Sequence, residues 1–160
     1  MARVLVTYYS RTGNTRRLAE LFAETLKEEG VEVDLKPVSE VKPEDLEKYD
    51  GIAIGSPTYY GLMASEVKKL IDDSVKIHGR LDGKVGAAFT SAGGYSTGAE
   101  TTILSIISSM LVHGMIVQGD PDDYHYGVAV KGKGNRSDIE AVRRKAKRMA
   151  HLLKKLTSGS

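Results

Sequence analysis

The chain has 160 residues, of which 41% are hydrophobic and 28% charged, so we expect one domain whose core needs no disulfides. A folded chain of this length should expose about 7,900 Å² of surface. The absence of cysteine excludes disulfides, thiolate metal sites, cysteine-ligated iron–sulfur clusters and cysteine nucleophiles. No apolar run approaches the ~18 residues of a membrane span, and the first residues lack a signal-peptide pattern, so we expect a cytoplasmic location.

The net charge of +2 conceals an uneven distribution along the chain. Residues 131–160 contain ten Lys or Arg and two acidic residues, whereas the preceding residues carry a net charge of −6. A basic C-terminal helix is compatible with nucleic acid, an anionic membrane or an acidic redox partner. It lacks interleaved aromatic residues and a recognition motif, so we interpret it as a solvated outer face and expect no nucleic acid.

Short β-branched runs alternate with longer amphipathic stretches from one end of the chain to the other. Val4 to Tyr8 predicts a buried strand, and a helix from about Thr15 to Glu29 follows a polar turn. Later strands are predicted at Val31–Leu35, Ile52–Ile54 and Val85–Phe89, with two strand pieces at Met115–Val117 and Val128–Val130. Further helices are predicted around Val67, Leu70 and Ile71, at Thr101–Val112, and along the apolar stripe from Ile139 to Leu156.

Strands that alternate with helices predict parallel βαβ units with right-handed crossovers. We therefore predict an α/β, three-layer, doubly wound fold with a five-stranded parallel sheet of order 2-1-3-4-5 and helices on both faces. Residues 1–156 should form this single domain, and residues 157–160 a frayed tail.

Ligands of such a sheet bind at the carboxyl ends of strands 1 and 3. After the first strand, the polar segment Ser10–Thr15 leads into a helix, where free backbone N–H groups and the helix dipole favour an anion. This pattern indicates a phosphate-binding loop made of neutral donors. An ordinary helix cap with turn residues would give the same pattern.

Two further loops carry glycine, hydroxyl and tyrosine residues at the same predicted edge. They are Gly55–Gly61 after the third strand and Thr90–Gly98 after the fourth. Tyrosines can stack on a flat ring, and glycines let the backbone approach its polar edge. Turn chemistry alone explains such residues in one loop, but three converging loops indicate a mononucleotide with a planar ring, and FMN fits.

These segments resemble those of known flavoproteins. Tyr8–Thr15 is similar to the FMN-phosphate loop of the flavodoxin superfamily. Segments 55–61, 90–94 and 100–104, with His113–Met115, resemble the branch that contains the WrbA-type NAD(P)H:quinone oxidoreductases. The similarity extends in order over almost the whole chain.

The resemblance implies noncovalent FMN binding by residues of three groups. The phosphate group would be held by Ser10, Arg11, Thr12, Gly13, Asn14 and Thr15. The isoalloxazine would be held by Pro57, Thr58, Tyr59, Tyr60, Gly61, Ser91, Ala92, Gly93, Gly94 and Tyr95. The resemblance also implies that His113 lies at the flavin site across a subunit interface, which makes a homo-oligomer a possibility.

FMN, rather than a side chain, would carry the redox chemistry, so no catalytic side chain is assigned and no metal is expected. One possible function is an electron carrier between protein partners. The other is an enzyme that passes hydride from NAD(P)H through FMN to a quinone. The chain lacks the long quinone-oxidoreductase insertions after strands 2 and 5, and it has no Trp to wall a hydride pocket, so we favour the carrier.

Three alternative functions start from other residues. Gly94–Gly98 matches the G-x-S-x-G motif of serine hydrolases, with His125 later in the chain, but Ser96 would lie in a broad loop rather than a tight elbow. Asp120, Asp122, Asp123 and His125 could hold a metal, although a polar connection explains them equally well. A phosphoacceptor receiver domain is excluded, because its acidic positions hold neutral residues here.

Overall fold

The computed structural model describes residues 1–159, which form six strands and four α-helices. The strands are β1 (Arg3–Tyr8), β2 (Glu32–Pro37), β3 (Gly51–Pro57), β4 (Val85–Ala92), β5 (Ile116–Val117) and β6 (Val128–Lys131). The helices are α1 (Asn14–Glu28), α2 (Ser65–Asp73), α3 (Ala99–Val112) and α4 (Arg136–Thr157). Short 3₁₀ helices cover Val38–Glu40, Pro43–Lys48 and Ser74–Ile77.

All strand pairs are parallel, and the sheet order is β2-β1-β3-β4-β5, which confirms the predicted topology. The fifth position of the sheet is shared by two strands. β5 pairs with Val85 and Gly86 at the start of β4, and β6 pairs with 89–92 at its end. Both predicted strand pieces therefore lie in the sheet, and the polar segment 118–127 separates them.

Helices cover both faces of the sheet, as predicted. β1, β3 and β4 are therefore buried along almost their whole length. On one face, α1 and α4 pack against the sheet, and the rings of Phe22 and Phe89 stack with centroids 5.6 Å apart. On the other face, Ile103 and Ile106 of α3 join Val67 and Leu70 of α2. The accessible surface of 8112 Å² agrees with the value expected from chain length.

The bounds of α1 and α4 differ slightly from the predicted ones. α1 begins at Asn14, one residue earlier than predicted, and α4 extends to Thr157, the first residue of the predicted tail. The last residue of that tail, Ser160, lies outside the described residues. Among residues 1–159, no helix is long and apolar enough to cross a bilayer.

The connection between β2 and β3 contains only two 3₁₀ helices. By contrast, an α-helix connects β1 to β2, β3 to β4 and β4 to β5. Val38, Val41 and Leu46 of this connection reach the core, but the connection does not fill the space between itself and α2. A cavity of about 870 Å³ remains there, above the end of β1. The short connection thus leaves the carboxyl edge of the sheet open on one side.

Replacing Gly55 in β3 should destabilise the fold strongly. A Cβ atom at Gly55 would lie 2.1 Å from the ring of Phe89, which is 1% exposed and cannot move. We expect Gly55→Ala to lower the free energy of unfolding by about 3 kcal/mol, measured by urea denaturation. Gly51→Ala in the same strand is the control, because its Cβ would meet the flexible end of Met149 at 2.7 Å. Equal losses in both variants would contradict this prediction.

A buried lysine attaches α4 to the segment between β5 and β6. Lys145 is 5% exposed, and its Nζ donates to the carbonyl oxygen of Gln118. Burial, together with the nearby charge of Arg148, lowers the pKa of Lys145 to about 8. Asp120 in the same segment accepts a hydrogen bond of 2.8 Å from Arg144, so α4 holds this segment at two points.

The lowered pKa of Lys145 predicts a pH-dependent stability. Between pH 8 and the unfolded-state pKa near 10.5, the unfolded chain holds a proton that the folded chain has released, so stability rises with pH. Relative to Lys145→Met, the wild-type free energy of unfolding should therefore rise by up to about 3 kcal/mol across this interval. Urea denaturation at several pH values measures the difference, and parallel pH profiles would contradict the prediction.

Candidate functional site

The three loops predicted to converge do lie side by side at the carboxyl edge of the sheet. β1, β3 and β4 are neighbours, so the segments that follow them leave the sheet at the same edge. The Tyr9 N–H donates to the carbonyl oxygen of Gly55 at 3.2 Å, and the Thr58 N–H donates to that of Ser91 at 2.8 Å. The hydroxyls of Thr15 and Ser91, 76 residues apart in sequence, lie 2.8 Å from each other.

The loop after β1, residues 9–13, has the geometry of an anion site. Gly13 precedes α1 with a left-handed φ of 97°, and no side chain caps the helix. The first turn of α1 contains no acidic residue, and no atom lies within 4 Å of a Cβ built on Gly13. The first N–H groups of α1 are thus available to an anion, and this fits the phosphate of a mononucleotide. We call residues 9–15, which include the first two residues of α1, the phosphate loop.

The side chains of this loop divide into accessible and occupied groups. Arg11 and Thr12 are exposed and Asn14 is half-buried, so all three can reach a ligand. Ser10 Oγ accepts a hydrogen bond from the Gly13 N–H at 3.1 Å, which holds the loop in shape. Thr15 is buried, its hydroxyl lies 2.8 Å from that of Ser91, and its backbone N–H belongs to the free first turn of α1.

The loop after β3 forms a tight two-residue turn that the sequence analysis missed. Tyr59 and Leu62 pair through two hydrogen bonds of 3.0 Å, and both residues between them, Tyr60 and Gly61, have positive φ. Tyr60 is fully exposed, whereas Tyr59 is 37% exposed. The Thr101 hydroxyl of α3 donates to the Gly61 carbonyl at 2.7 Å, so the turn is attached to the first turn of α3.

The loop after β4, residues 93–98, presents Tyr95 to solvent. Tyr95 is 77% exposed, and Lys131 at the end of β6 lies 4.7 Å above its ring. Gly98 contacts the turn after β3 so closely that a Cβ atom there would lie 2.5 Å from the Cα of Gly61. The two loops, 57–62 and 93–98, are called the ring loops below.

Two cavities lie near the candidate site. The 870 Å³ cavity extends from the phosphate loop to α2, where Glu66, Lys69 and Asp73 line it. A second cavity of about 530 Å³ lies beyond Tyr95, next to Lys131 and the start of α4. Within the ring loops, Tyr60 and Tyr95 lie in solvent, so a planar ligand stacked beside them would not be fully enclosed.

α2 contributes charged groups that sequence reasoning had not placed at the site. Burial and the negative charge of Glu66 raise the pKa of Tyr9, while Lys69 and Asp73 form an ion pair of 2.7 Å. Helical spacing in the sequence could have grouped these residues, since positions 66, 69, 70 and 73 lie on one face of α2.

His113 lies far from the other candidate residues of its own chain. α3 begins beside the ring loops and ends at the opposite end of the sheet, where β5 pairs with the first residues of β4. The length of β4, roughly 25 Å for eight residues, separates the two ends. His113 Nε2 instead contacts the Ser74 hydroxyl at 2.7 Å, and burial and the neighbouring His78 lower its pKa. His113 therefore does not reach the ring loops of its own chain, and the predicted contact with the flavin across a subunit interface stays a prediction.

The alternative sites have other structural explanations. Ser96 lies within a six-residue loop between β4 and α3, not at a strand-to-helix elbow. Asp120 pairs with Arg144, and His125 Nδ1 contacts the Asp120 carbonyl oxygen at 2.7 Å. No group of three potential metal ligands occurs within residues 1–159.

Known proteins resemble this chain over nearly its whole length. A family model described as "Flavodoxin domain" matches residues 5–105. A flavodoxin of Aquifex aeolicus is 41% identical over 159 residues, covering 94% of this chain and 86% of that protein. An NAD(P)H dehydrogenase (quinone) of Archaeoglobus fulgidus is 35% identical over 190 residues, covering 98% of this chain and all of that protein.

A solved structure has the same architecture. The structure of a flavodoxin from the domain Archaea superposes with a TM-score of 0.79 at 27% identity, covering 95% of this chain and 99% of that chain. The family model, the sequence relatives and the sheet topology agree with the uncapped anion site and the tyrosine-bearing loops. The chain belongs to the flavodoxin family and is an FMN-binding redox protein.

Proposed function

We propose that this chain is an electron carrier that exchanges electrons with protein partners through the exposed edge of its bound flavin. The exposure of the tyrosines in the ring loops supports this proposal: Tyr60 and Tyr95 lie largely in solvent, so the edge of a flavin held beside them would be within reach of a partner. A carrier needs a reachable flavin edge, whereas hydride transfer needs a pocket that stacks a nicotinamide about 3–3.5 Å from the ring.

The proposed binding roles follow from the accessibility of each group. Arg11, Thr12, Asn14 and the first N–H groups of α1 would hold the phosphate, with Ser10 and Gly13 setting the loop conformation. When bound, FMN supplies the redox chemistry by accepting and returning electrons. The protein binds the cofactor, orients it and limits access to it.

The ring would lie between the two ring loops. Tyr59 and Tyr95 are our candidates for stacking on the ring. Tyr60 is a weaker candidate, because it lies at the tip of the turn and its side chain extends fully into solvent. Pro57, Thr58, Gly61 and the segment 91–94 would supply backbone contacts to the polar edge of the ring.

The basic surface of α4 is a poor candidate for the electron-transfer contact. α4 starts at the carboxyl edge of the sheet and ends at Thr157, at the opposite end. Lys154 and Lys155 therefore lie about 27 Å along the helix from its first residue. Near the middle, Arg143 and Arg144 already pair with Glu28 and Asp120. We propose that partners approach the ring loops instead.

Removing single donors of the phosphate loop should weaken FMN binding selectively. Thr12→Ala and Asn14→Ala each delete a hydrogen bond to a charged group worth about 1.5–3 kcal/mol, or roughly 10- to 150-fold in affinity. Fluorescence quenching of flavin titrated with apoprotein measures the dissociation constant. Riboflavin, which lacks the phosphate, is the control and should bind both variants as it binds wild type. Equal weakening of both ligands would mean that the loop is only a helix cap.

An NAD(P)H:quinone oxidoreductase is the second candidate. The 35% identity to a protein of that name from Archaeoglobus fulgidus favours it. That alignment spans 190 positions, more than the 160 residues of this chain, so the relative has segments that this chain lacks. Such additional segments could build the nicotinamide pocket, and their absence here favours the carrier.

Anaerobic stopped-flow mixing separates the two candidates. If the chain is a carrier, NADH and NADPH should reduce the bound flavin over many minutes, because no pocket aligns the nicotinamide with the ring. Dithionite is the control, since it should bleach the same sample rapidly. Bleaching by a pyridine nucleotide at roughly 1–1,000 s⁻¹, followed by steady turnover with benzoquinone, would establish the enzyme and refute the carrier.

A further inference from the structure

Lys131 places a positive charge directly against one of the ring loops. It is the last residue of β6, and its Nζ lies 4.7 Å from the centroid of the Tyr95 ring. Within residues 1–159, the ammonium group of this exposed lysine forms no ion pair. A cation within about 6 Å of an aromatic face is attracted by the electrons of that face. The contact with Tyr95 is therefore the interaction that positions the Lys131 side chain.

The nearby carboxylates do not neutralise this charge at contact distance. Glu100 and Asp138 line the same 530 Å³ cavity as Lys131. Asp138 accepts hydrogen bonds from the Tyr124 hydroxyl at 2.5 Å and from the Asn135 N–H at 2.8 Å. Glu100 lies in the first turn of α3, where the helix dipole stabilises its negative charge. Both carboxylates thus have other favourable surroundings, and the lysine keeps its charge beside the ring.

The order of the sheet decides which face of Tyr95 the lysine covers. β4 lies between β3 and β6, so the loop that carries Tyr95 lies between the loop that carries Tyr59 and the end of β6. Lys131 therefore lies on the side of Tyr95 that is remote from Tyr59. This leaves the opposite face of the Tyr95 ring for the space between the ring loops, where the flavin would stack.

We propose that Lys131 is a positioning residue that acts on the bound flavin through Tyr95. The proposal rests on the stacking role that the proposed function gives to Tyr95. By holding one face of the tyrosine, Lys131 keeps the other face presented to the flavin ring. Its positive charge then lies behind the stacked rings, where it favours reduced flavin over oxidised flavin.

The sign of this effect follows from the charge change on the flavin. The ring of oxidised FMN is neutral, and at pH 8 the uptake of two electrons and one proton leaves it with one negative charge. The electrons come from the redox partner in the proposed function and from dithionite in the titration below. A nearby cation stabilises the negative ring and not the neutral one, so Lys131 raises the reduction potential of the bound flavin.

Distance sets the expected size of the effect. Stacked rings lie at least about 4.5 Å apart between centroids, so the charge of Lys131 would lie about 9 Å from the flavin. At this distance, one unit charge changes the ratio of reduced to oxidised flavin by about 2- to 20-fold, for dielectric constants of about 80 to 20. We expect about 3- to 10-fold at low salt, which corresponds to about 14–30 mV for a two-electron couple.

Reduction potentials of the FMN-loaded protein test the charge. Dithionite titration against a reference dye at pH 8, in about 10 mM salt, keeps screening weak. We expect Lys131→Gln to lower the midpoint potential by about 14–30 mV, the equivalent of 3- to 10-fold. Lys131→Arg should keep the wild-type potential, because a guanidinium also stacks on an aromatic face. Equal potentials of wild type and Lys131→Gln would refute the proposal.

Lys133→Gln is the matched control for the loss of one positive charge. Lys133 is also exposed and lies two residues further along the chain, but it does not take part in the contact with Tyr95. Its variant should lower the potential by less than half as much as Lys131→Gln. Equal effects of the two glutamine variants would mean that any positive charge near this edge suffices, and would refute the role of Lys131.

A double-mutant cycle with Tyr95→Leu tests whether the lysine acts through the tyrosine. Without the ring, the Lys131 side chain extends into solvent, so Lys131→Gln should have less than half of its effect in the Tyr95→Leu background. An undiminished effect would overturn the positioning role. The dissociation constant of oxidised FMN separates this proposal from the one it rests on. If Tyr95→Leu leaves that constant unchanged, the stacking of Tyr95 is wrong and the role of Lys131 is refuted with it. If Tyr95→Leu weakens binding but Lys131→Gln keeps the wild-type potential, only the role of Lys131 is refuted.

Discussion

The functional edge of this protein depends on a small network of buried hydroxyl groups at the ends of β3 and β4. Thr90 donates to the Ser56 carbonyl at 2.6 Å and contacts the Thr58 hydroxyl at 2.9 Å, while Ser91 holds Thr15 at the start of α1. A buried hydroxyl without a partner costs about 1–3 kcal/mol, so each member needs the others in place. Because these bonds join different loops, the phosphate loop and the ring loops form one unit.

The fold could be predicted because each layer leaves its own pattern in the sequence. Strands buried on both faces, such as Val4–Val6 in β1, are continuous apolar runs, and α4 shows its core face as a stripe. The two strand pieces after α3 were also visible, since each is a short β-branched run. The partner of a particular polar side chain was not. Thr15 was assigned to the phosphate from its place in the loop, which stays a prediction, but no local pattern indicates that its hydroxyl contacts Ser91.

One detail of the site escaped the sequence for a physical reason. The turn at Tyr60 and Gly61 has positive φ at both positions, yet it lacks the Asn-Gly or Asp-Gly pair that usually marks such a turn. Its support comes from Thr101, forty residues away. His113 was placed by resemblance at the flavin site across a subunit interface, and this stays a prediction. Within one chain, α3 starts at the ring loops and ends at the far side of the sheet, so His113 lies away from the ring loops of its own chain.

α3 connects the redox site to the rest of the molecular surface. Its first turn holds Gly61 through Thr101, so the orientation of this helix fixes one of the two ring loops. Electron transfer requires the carboxyl edge to stay reachable, whereas the apolar residues of α3 are more stable when covered. These demands fall on different parts of one helix. Thr101 in the first turn of α3 lies beside the ring loops, whereas the exposed Leu111 and Val112 lie in its last turn, near the opposite end of the sheet. The outer face of α3 can therefore be uncharged without closing the carboxyl edge at Tyr95.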